Sequence, residues 1–137
     1  MRTMLGATAL ALLMAGAAMA AAAVERTYNA LVERVWATTT AVLEHLGWEV
    51  DKADREIGFI TTESRRVDGE NYGVYEKSLR HRLRLHVKRV GDRRTMVSVE
   101  RTLFARERIL FVDNDEPVTA RDQDVEKALL DAIGKAL

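Results

Sequence analysis

The stretch LRHRLRLHVKRV, residues 79–90, concentrates the side chains of this chain that could carry chemistry. It holds five arginines and lysines, two of the three histidines and five aliphatic residues. A metal site, a general-base centre, a nucleic-acid arm and the wet face of a strand are all built from such residues. A strand sorts them cleanly. Leu79, His81, Leu83, Leu85 and Val87 fall on one face, and Arg80, Arg82, Arg84, His86 and Lys88 on the other, the alternation of a half-buried antiparallel sheet. His81 and His86 then point to opposite faces and cannot share an ion. His45 stands apart near a helix end, without ligand spacing to either. No metal and no other cofactor is expected.

Nucleophilic catalysis fares no better. There is no cysteine, and none of the serines, Ser64, Ser78 and Ser98, sits in a glycine-flanked elbow. His86 would face Ser98 across two strands, but on an open sheet such a pair is ordinarily a solvated one. The glycines do not follow the strand-to-helix pattern that cradles phosphate. No catalytic residue is expected, and the chain does not read as an enzyme. The row Arg80, Arg82, Arg84 and Lys88 would step along a strand at about 7 Å per residue pair. Sheet-type nucleic-acid readers interleave aromatic residues on such a face, and this face is expected to have none. An acidic protein partner or an anionic surface is the fitting use, with no nucleic acid.

Charge agrees. The 137-residue chain has 21 basic and 21 acidic residues, whereas nucleic-acid binders are usually basic. Its charge is uneven: residues 77–94 are basic, and VDNDEPVTARDQDVE, residues 112–126, is mostly acidic. The opening MRTMLGATALALLMAGAAMAAAAVE has an early arginine, an apolar stretch from Leu5 to Ala15 and Ala18 and Ala20 around Met19. That is the pattern of a secretory signal peptide over residues 1–20. Its strongly apolar part is shorter than the roughly 20 residues of a membrane span. The mature chain, 21–137, is expected to be one periplasmic domain without a transmembrane segment.

The elements that would position the basic row follow in order β-α-β-β-β-β-α. VERTY, residues 24–28, reads as a strand, and Asn29 as the cap of a following helix. Leu31, Val35, Thr39, Val42 and Leu46 make that helix's apolar stripe, with Trp36 beneath the sheet. Gly47 ends it, and Trp48 is expected to be half-buried. Residues 48–63 read as two strands around a turn. Residues 64–77 have no sustained period and read as a long mobile loop displaying Tyr72 and Tyr75.

Strand 79–90 should turn at Gly91–Arg93 and return through Leu103, so that Val87 meets Val97, Leu85 meets Val99 and Arg84 meets Glu100. RILFV, residues 108–112, reads as a short edge strand or a loop anchored by Phe111. Pro117 should precede a last helix capped by Thr119 with Asp122, burying Val125, Leu129, Ala132, Ile133 and Ala136.

The run VERVWATTTAVLEHLGWEVDKADREIGFITTE resembles the repeating unit of the BamC-like family of bacterial envelope proteins. The resemblance rests on Val35, Trp36, Leu46, Gly47, Trp48, Asp54, Arg55, Gly58, Ile60 and Thr62. It implies an α+β helix-grip fold, an antiparallel sheet gripped by two helices, and a non-catalytic accessory role in outer-membrane protein assembly within the cell envelope. The chain has no cysteine to carry the lipid found in that family. The reading that results is an exported protein-interaction module. Its contact surface is Arg80, Arg82, Arg84 and Lys88 with Tyr72 and Tyr75, and its partner is another envelope protein. The alternative is a periplasmic carrier that holds a lipid or other apolar molecule between helix and sheet.

Mass spectrometry of protein recovered from cell fractions is expected to find a mature chain beginning near Ala21 in the periplasm. A full-length cytoplasmic product would remove the compartment, and with it much of the case against nucleic acid.

Overall fold

The alternation in residues 79–90 is the middle of a far longer hairpin. In the computed structural model, which describes residues 22–137, β5 (Tyr75–Gly91) runs antiparallel to β6 (Arg94–Ile109). The segment read as a signal peptide, 1–20, lies outside the described residues. The other strands attach to the outer sides of this hairpin. β1 (Val24–Tyr28) and β7 (Val112–Val118) follow one another along β6, while β3 (Phe59–Thr62) and β4 (Arg65–Asn71) do so along β5. β2 (Val50–Asp54) pairs β3 and closes that side.

Helices α1 (Val32–His45) and α2 (Asp124–Ala136) both pack on one face of the half containing β1, β2 and β3. That half is two layers. The half containing β4 and β7 has no helix on either face among the described residues. No helix there is long and apolar enough to cross a membrane.

The sheet is α+β and antiparallel with two helices, as expected, but it is not a helix-grip sheet. Its main path is β1-β6-β5-β3-β2, an open order with β1 and β2 at opposite edges, and it does not curl closed around a helix. It also has seven strands where five were expected. The two additional strands are β4, in the segment read as a mobile loop, and β7, in the acidic run. Neither has a buried face, so neither alternates in hydrophobicity. Their cross-strand hydrogen bonds alone make them strands. Pro117 precedes α2, as expected, but lies within β7 opposite Phe104, which an edge strand tolerates because its outer side needs no donor.

The core explains the helix boundaries. Val35, Thr39, Val42 and Leu43 of α1 are buried against Ile60, Leu83, Leu85, Val97 and Val99, with Leu129, Leu130 and Ile133 of α2 beside them. The expected ends of the α1 stripe, Leu31 and Leu46, are exposed. Neither expected cap forms: α1 starts after Leu31 and α2 after Gln123, both without a side-chain cap hydrogen bond.

The far end of α1 matches expectation. Gly47 takes φ +82°, its N–H bonds the Glu44 carbonyl at 3.0 Å, and the Trp48 N–H bonds the Leu43 carbonyl at 2.9 Å. This pair of bonds is a Schellman motif. It turns Trp48 directly into the core, where it is 4 % exposed, while Trp36 only packs partly buried at the margin. The two tryptophans thus exchange their expected roles.

Gly58, at φ +71°, permits a second close approach. Its carbonyl accepts the Val87 N–H at 2.7 Å, and a Cβ there would lie 2.0 Å from the Val87 carbonyl oxygen.

Trp48→Ala should therefore cost about 3–5 kcal/mol in denaturant unfolding, and Trp36→Ala clearly less. Gly58→Ala should destabilise through both its φ and the Val87 clash. Equal losses for the two tryptophans would contradict the burial described.

Candidate functional site

The β5–β6 register decides which side chains share the helix-free face. Val87 pairs Val97, Leu85 pairs Val99, Arg84 pairs Glu100 and His86 pairs Ser98, as the alternation predicts. The same register carried further puts Arg82 opposite Thr102 and Arg80 opposite Phe104. The four basic residues are not equivalent. Arg80 is a strut: its guanidinium donates to Glu76 at 2.9 Å, to the Ser64 hydroxyl at 3.0 Å and to the Ser64 carbonyl at 3.0 Å. Arg82, Arg84 and Lys88 are exposed. Among the described residues none of the three forms an ion pair.

Aromatic rings do lie on this face, contrary to expectation. Phe104 comes from β6 and Phe59 from β3. The Arg82 and Arg106 guanidiniums each sit 5.4 Å from the Phe104 centroid, and Arg84 sits 5.7 Å from that of Phe59, within cation–π range. Phe104 is only 5 % exposed beneath its arginines. Ile57, Phe59, Arg84, His86, Ser98 and Glu100 border a shallow open cleft of about 340 Å³. His86 Nε2 faces the Ile57 carbonyl at 3.1 Å, so the imidazole is turned to the backbone and not to Ser98. The register expected for Val87 and Val97 already implied Phe104 opposite Arg80. Reading the returning strand only to Leu103 hid it.

Further along, the acidic run meets the basic hairpin. Arg106 donates to both carboxylate oxygens of Asp115 at 2.8 and 3.0 Å, and Arg108 to both of Asp113 at 2.5 and 3.1 Å. These bonds hold both carboxyls below the usual range. Glu76 is 1 % exposed. Burial pushes its pKa up, but hydrogen bonds from Ser78 and Arg80 and the fields of Arg80 and Arg108 outweigh this and hold it low. The acids thus engage Arg80, Arg106 and Arg108, and leave Arg82 and Arg84 open.

Tyr72 and Tyr75 do not join this patch. Tyr72 is in the β4–β5 turn and Tyr75 begins β5. Seven residues separate Tyr75 from Arg82, roughly 24 Å along a strand, and their side chains lie on opposite faces.

Beneath the helix-covered face lies a polar node that the sequence reading left as plain strand. The His81 ring lies 4.6 Å from the Trp48 ring, and the Arg65 guanidinium stacks 3.7 Å over Trp48. Arg65 also donates to the Leu46 carbonyl at 2.9 Å, at the end of α1. Arg101 Nε donates to His81 Nδ1 at 2.8 Å, and Arg65 Nε stands 3.2 Å from Nε2. A neutral imidazole has one acceptor nitrogen, and the shorter contact assigns it to Nδ1, leaving the proton on Nε2. Burial first, then Arg101 and Arg65, push the His81 pKa down to about 4. Glu126, 1 % exposed on α2, has its pKa raised by burial against the opposing pull of its own backbone N–H and Arg101.

No protein-family model matches the chain and no curated protein matches it. The open sheet overturns the helix-grip fold, and no match supports the BamC-like resemblance on which an outer-membrane assembly role rested. The residues that carried the resemblance have local structural tasks instead. Gly47 and Trp48 end α1, Asp54 Oδ1 accepts the Glu56 N–H at 3.0 Å, and Thr62 Oγ1 accepts the Leu83 N–H at 2.9 Å.

The His81 shift has a defined pH consequence. Below its unfolded pKa of 6.5 the unfolded chain takes up a proton that the folded node refuses, so stability falls as pH drops from 6.5 towards 4. The full effect is on the order of 3 kcal/mol. Glu126 acts with opposite sign, favouring the fold as its carboxyl protonates. The lowered carboxyls Glu76, Asp113 and Asp115 lose their contribution only below about pH 4.5. Between pH 6.5 and 5, His81→Gln should flatten the slope of unfolding free energy against pH. Identical slopes in the two proteins would contradict this protonation state.

Proposed function

We propose that this chain is a non-catalytic, exported binding module that takes an acidic segment of another protein along its helix-free sheet face. The observation that carries the reading is the pair Arg82 and Arg84. They are exposed, lack an ion-pair partner among the described residues, and are held over Phe104 and Phe59 on a continuous sheet. Stacking on a ring orients a guanidinium while leaving its N–H donors free for a carboxylate. The cleft beside Arg84 has Ile57 and Phe59 on its border, which suits an apolar residue next to the partner's acids. Export rests on the leader pattern, and the periplasm is the compartment it favours.

The carrier alternative has less support. Leu43, Ile60, Leu83, Leu85, Leu129, Leu130 and Ile133 are fully buried between helices and sheet, and the cleft at Arg84 opens on the opposite face.

Purified protein titrated with a peptide bearing several glutamates around one aromatic residue should show NMR shifts at Ile57, Phe59, Arg82 and Arg84. Affinity should fall steeply with salt, as the Debye length shortens. Arg82→Glu with Arg84→Glu should reduce affinity at least tenfold and change unfolding free energy by under about 1 kcal/mol. Shifts confined to other surfaces, or binding insensitive to the double reversal, would overturn the reading.

A further inference from the structure

The three most exposed large apolar side chains among the described residues, Phe111, Val112 and Tyr72, are gathered at one end of the sheet. Because Tyr75 pairs Ile109, the β4–β5 and β6–β7 turns stand side by side, at the end of the hairpin away from the helices. They present Phe111 at 93 % exposure, Val112 at 71 % and Tyr72 at 67 %, with Leu110, Ile109 and Val74 each above half. The chain accepts strain to do this. Leu110, the first of two residues in the β6–β7 turn, has φ +59°, at a position where tight hairpins favour glycine. RILFV is therefore not a loop anchored by Phe111. Phe111 is the outermost point of the hairpin.

We propose that these two turns form a wedge that enters the interfacial layer of a lipid bilayer of low net charge. The shape fits that occupant. Two narrow adjacent turns are convex rather than flat, and a bilayer interface needs only a few apolar side chains to be pushed 5–10 Å or so into it. The composition fits as well, with tyrosine at the wedge margin, where bilayer proteins concentrate amphipathic rings.

Charge then selects the lipid. The strand residues behind the wedge are paired across strands: Arg108 with Asp113 and Glu76, and Arg106 with Asp115, while Lys77 lies opposite Glu107. With Asp68, Glu70, Glu107 and Glu116 outside any ion pair among the described residues, the collar carries an acidic excess and no unmatched positive row, which disfavours anionic lipid and suits zwitterionic headgroups. The proposal stands apart from the reading of Arg82 and Arg84, since neither arginine belongs to the wedge.

The chain contains no cysteine, so Phe111→Cys gives a unique site for an environment-sensitive fluorophore. With phosphatidylcholine vesicles the label should shift to the blue and brighten several-fold, while the same label at Lys52→Cys, in β2, should not respond. Leu110→Gly with Phe111→Ser relieves the turn and removes the wedge. That variant should be at least as stable as the parent yet co-sediment with the vesicles at least tenfold less. No response of the label at 111, or undiminished sedimentation of the double variant, would overturn the proposal. So would binding seen only with anionic vesicles and lost in Arg82→Glu with Arg84→Glu. Dimerisation without lipid that the double variant abolishes would overturn it too, by assigning the wedge to a second copy of the chain.

Discussion

Every other strand of the sheet depends on the pairing of β5 with β6, which runs from Tyr75 opposite Ile109 to Gly91 opposite Arg94. Strand side chains alternate with period two, so a slip of one residue would exchange the two faces completely. Leu83, Leu85 and Val87 would then meet solvent, and Arg82 and Arg84 would be driven beneath the helices. The apolar face blocks that slip, since burying one leucine or valine contributes about 1.5–3 kcal/mol and an unpaired arginine in the same place would cost several. The same register that builds the core thus sets out the basic face.

The two halves of the hairpin are held by different forces. Around β1, β2 and β3 the helices supply an apolar layer. Around β4 and β7 there is no such layer, and polar bonds take its place: Glu76 with Ser78, Arg80 and Arg108, and Arg106 with Asp115. A carboxylate as buried as Glu76 is tolerable only when its lone pairs are satisfied, and side chains of β5 and β6 converge to satisfy them. Arg65 joins the halves, reaching from β4 to the end of α1 and the face of Trp48. An extended sheet stiffened in this way can present one face and one tip to different surroundings.

Wherever one face of an element is buried, its type was legible from the chain. The strands at 24–28 and 79–90, the helix ending at Gly47 and the pairing of Val87 with Val97 all rest on apolar periodicity or on a glycine with a single conformational use. Residues 64–77 and 112–118 offered no such signal, because Arg65–Asn71 and Val112–Val118 are wet on both faces. Trp36 and Trp48 show a subtler limit. The helical stripe marks both as near the core, but only the hydrogen bonds after Gly47 aim Trp48 into it.

By itself the sequence determined the alternation that separates a basic face from an apolar one, because side-chain direction in a strand is a local property of the backbone. It also determined that the acidic and basic runs would be distinct segments. Only the tertiary structure decided which charges cancel. Arg106 and Arg108 met carboxylates around a turn or on the neighbouring strand, and Arg80 met Glu76 on its own strand, while Arg82 and Arg84 met aromatic rings. Only the tertiary structure placed the tyrosine turn beside the Phe111 turn, well away from the arginines. These are long-range matters, since ion pairing and exposure depend on which segments the folded sheet makes neighbours, and no local pattern encodes that.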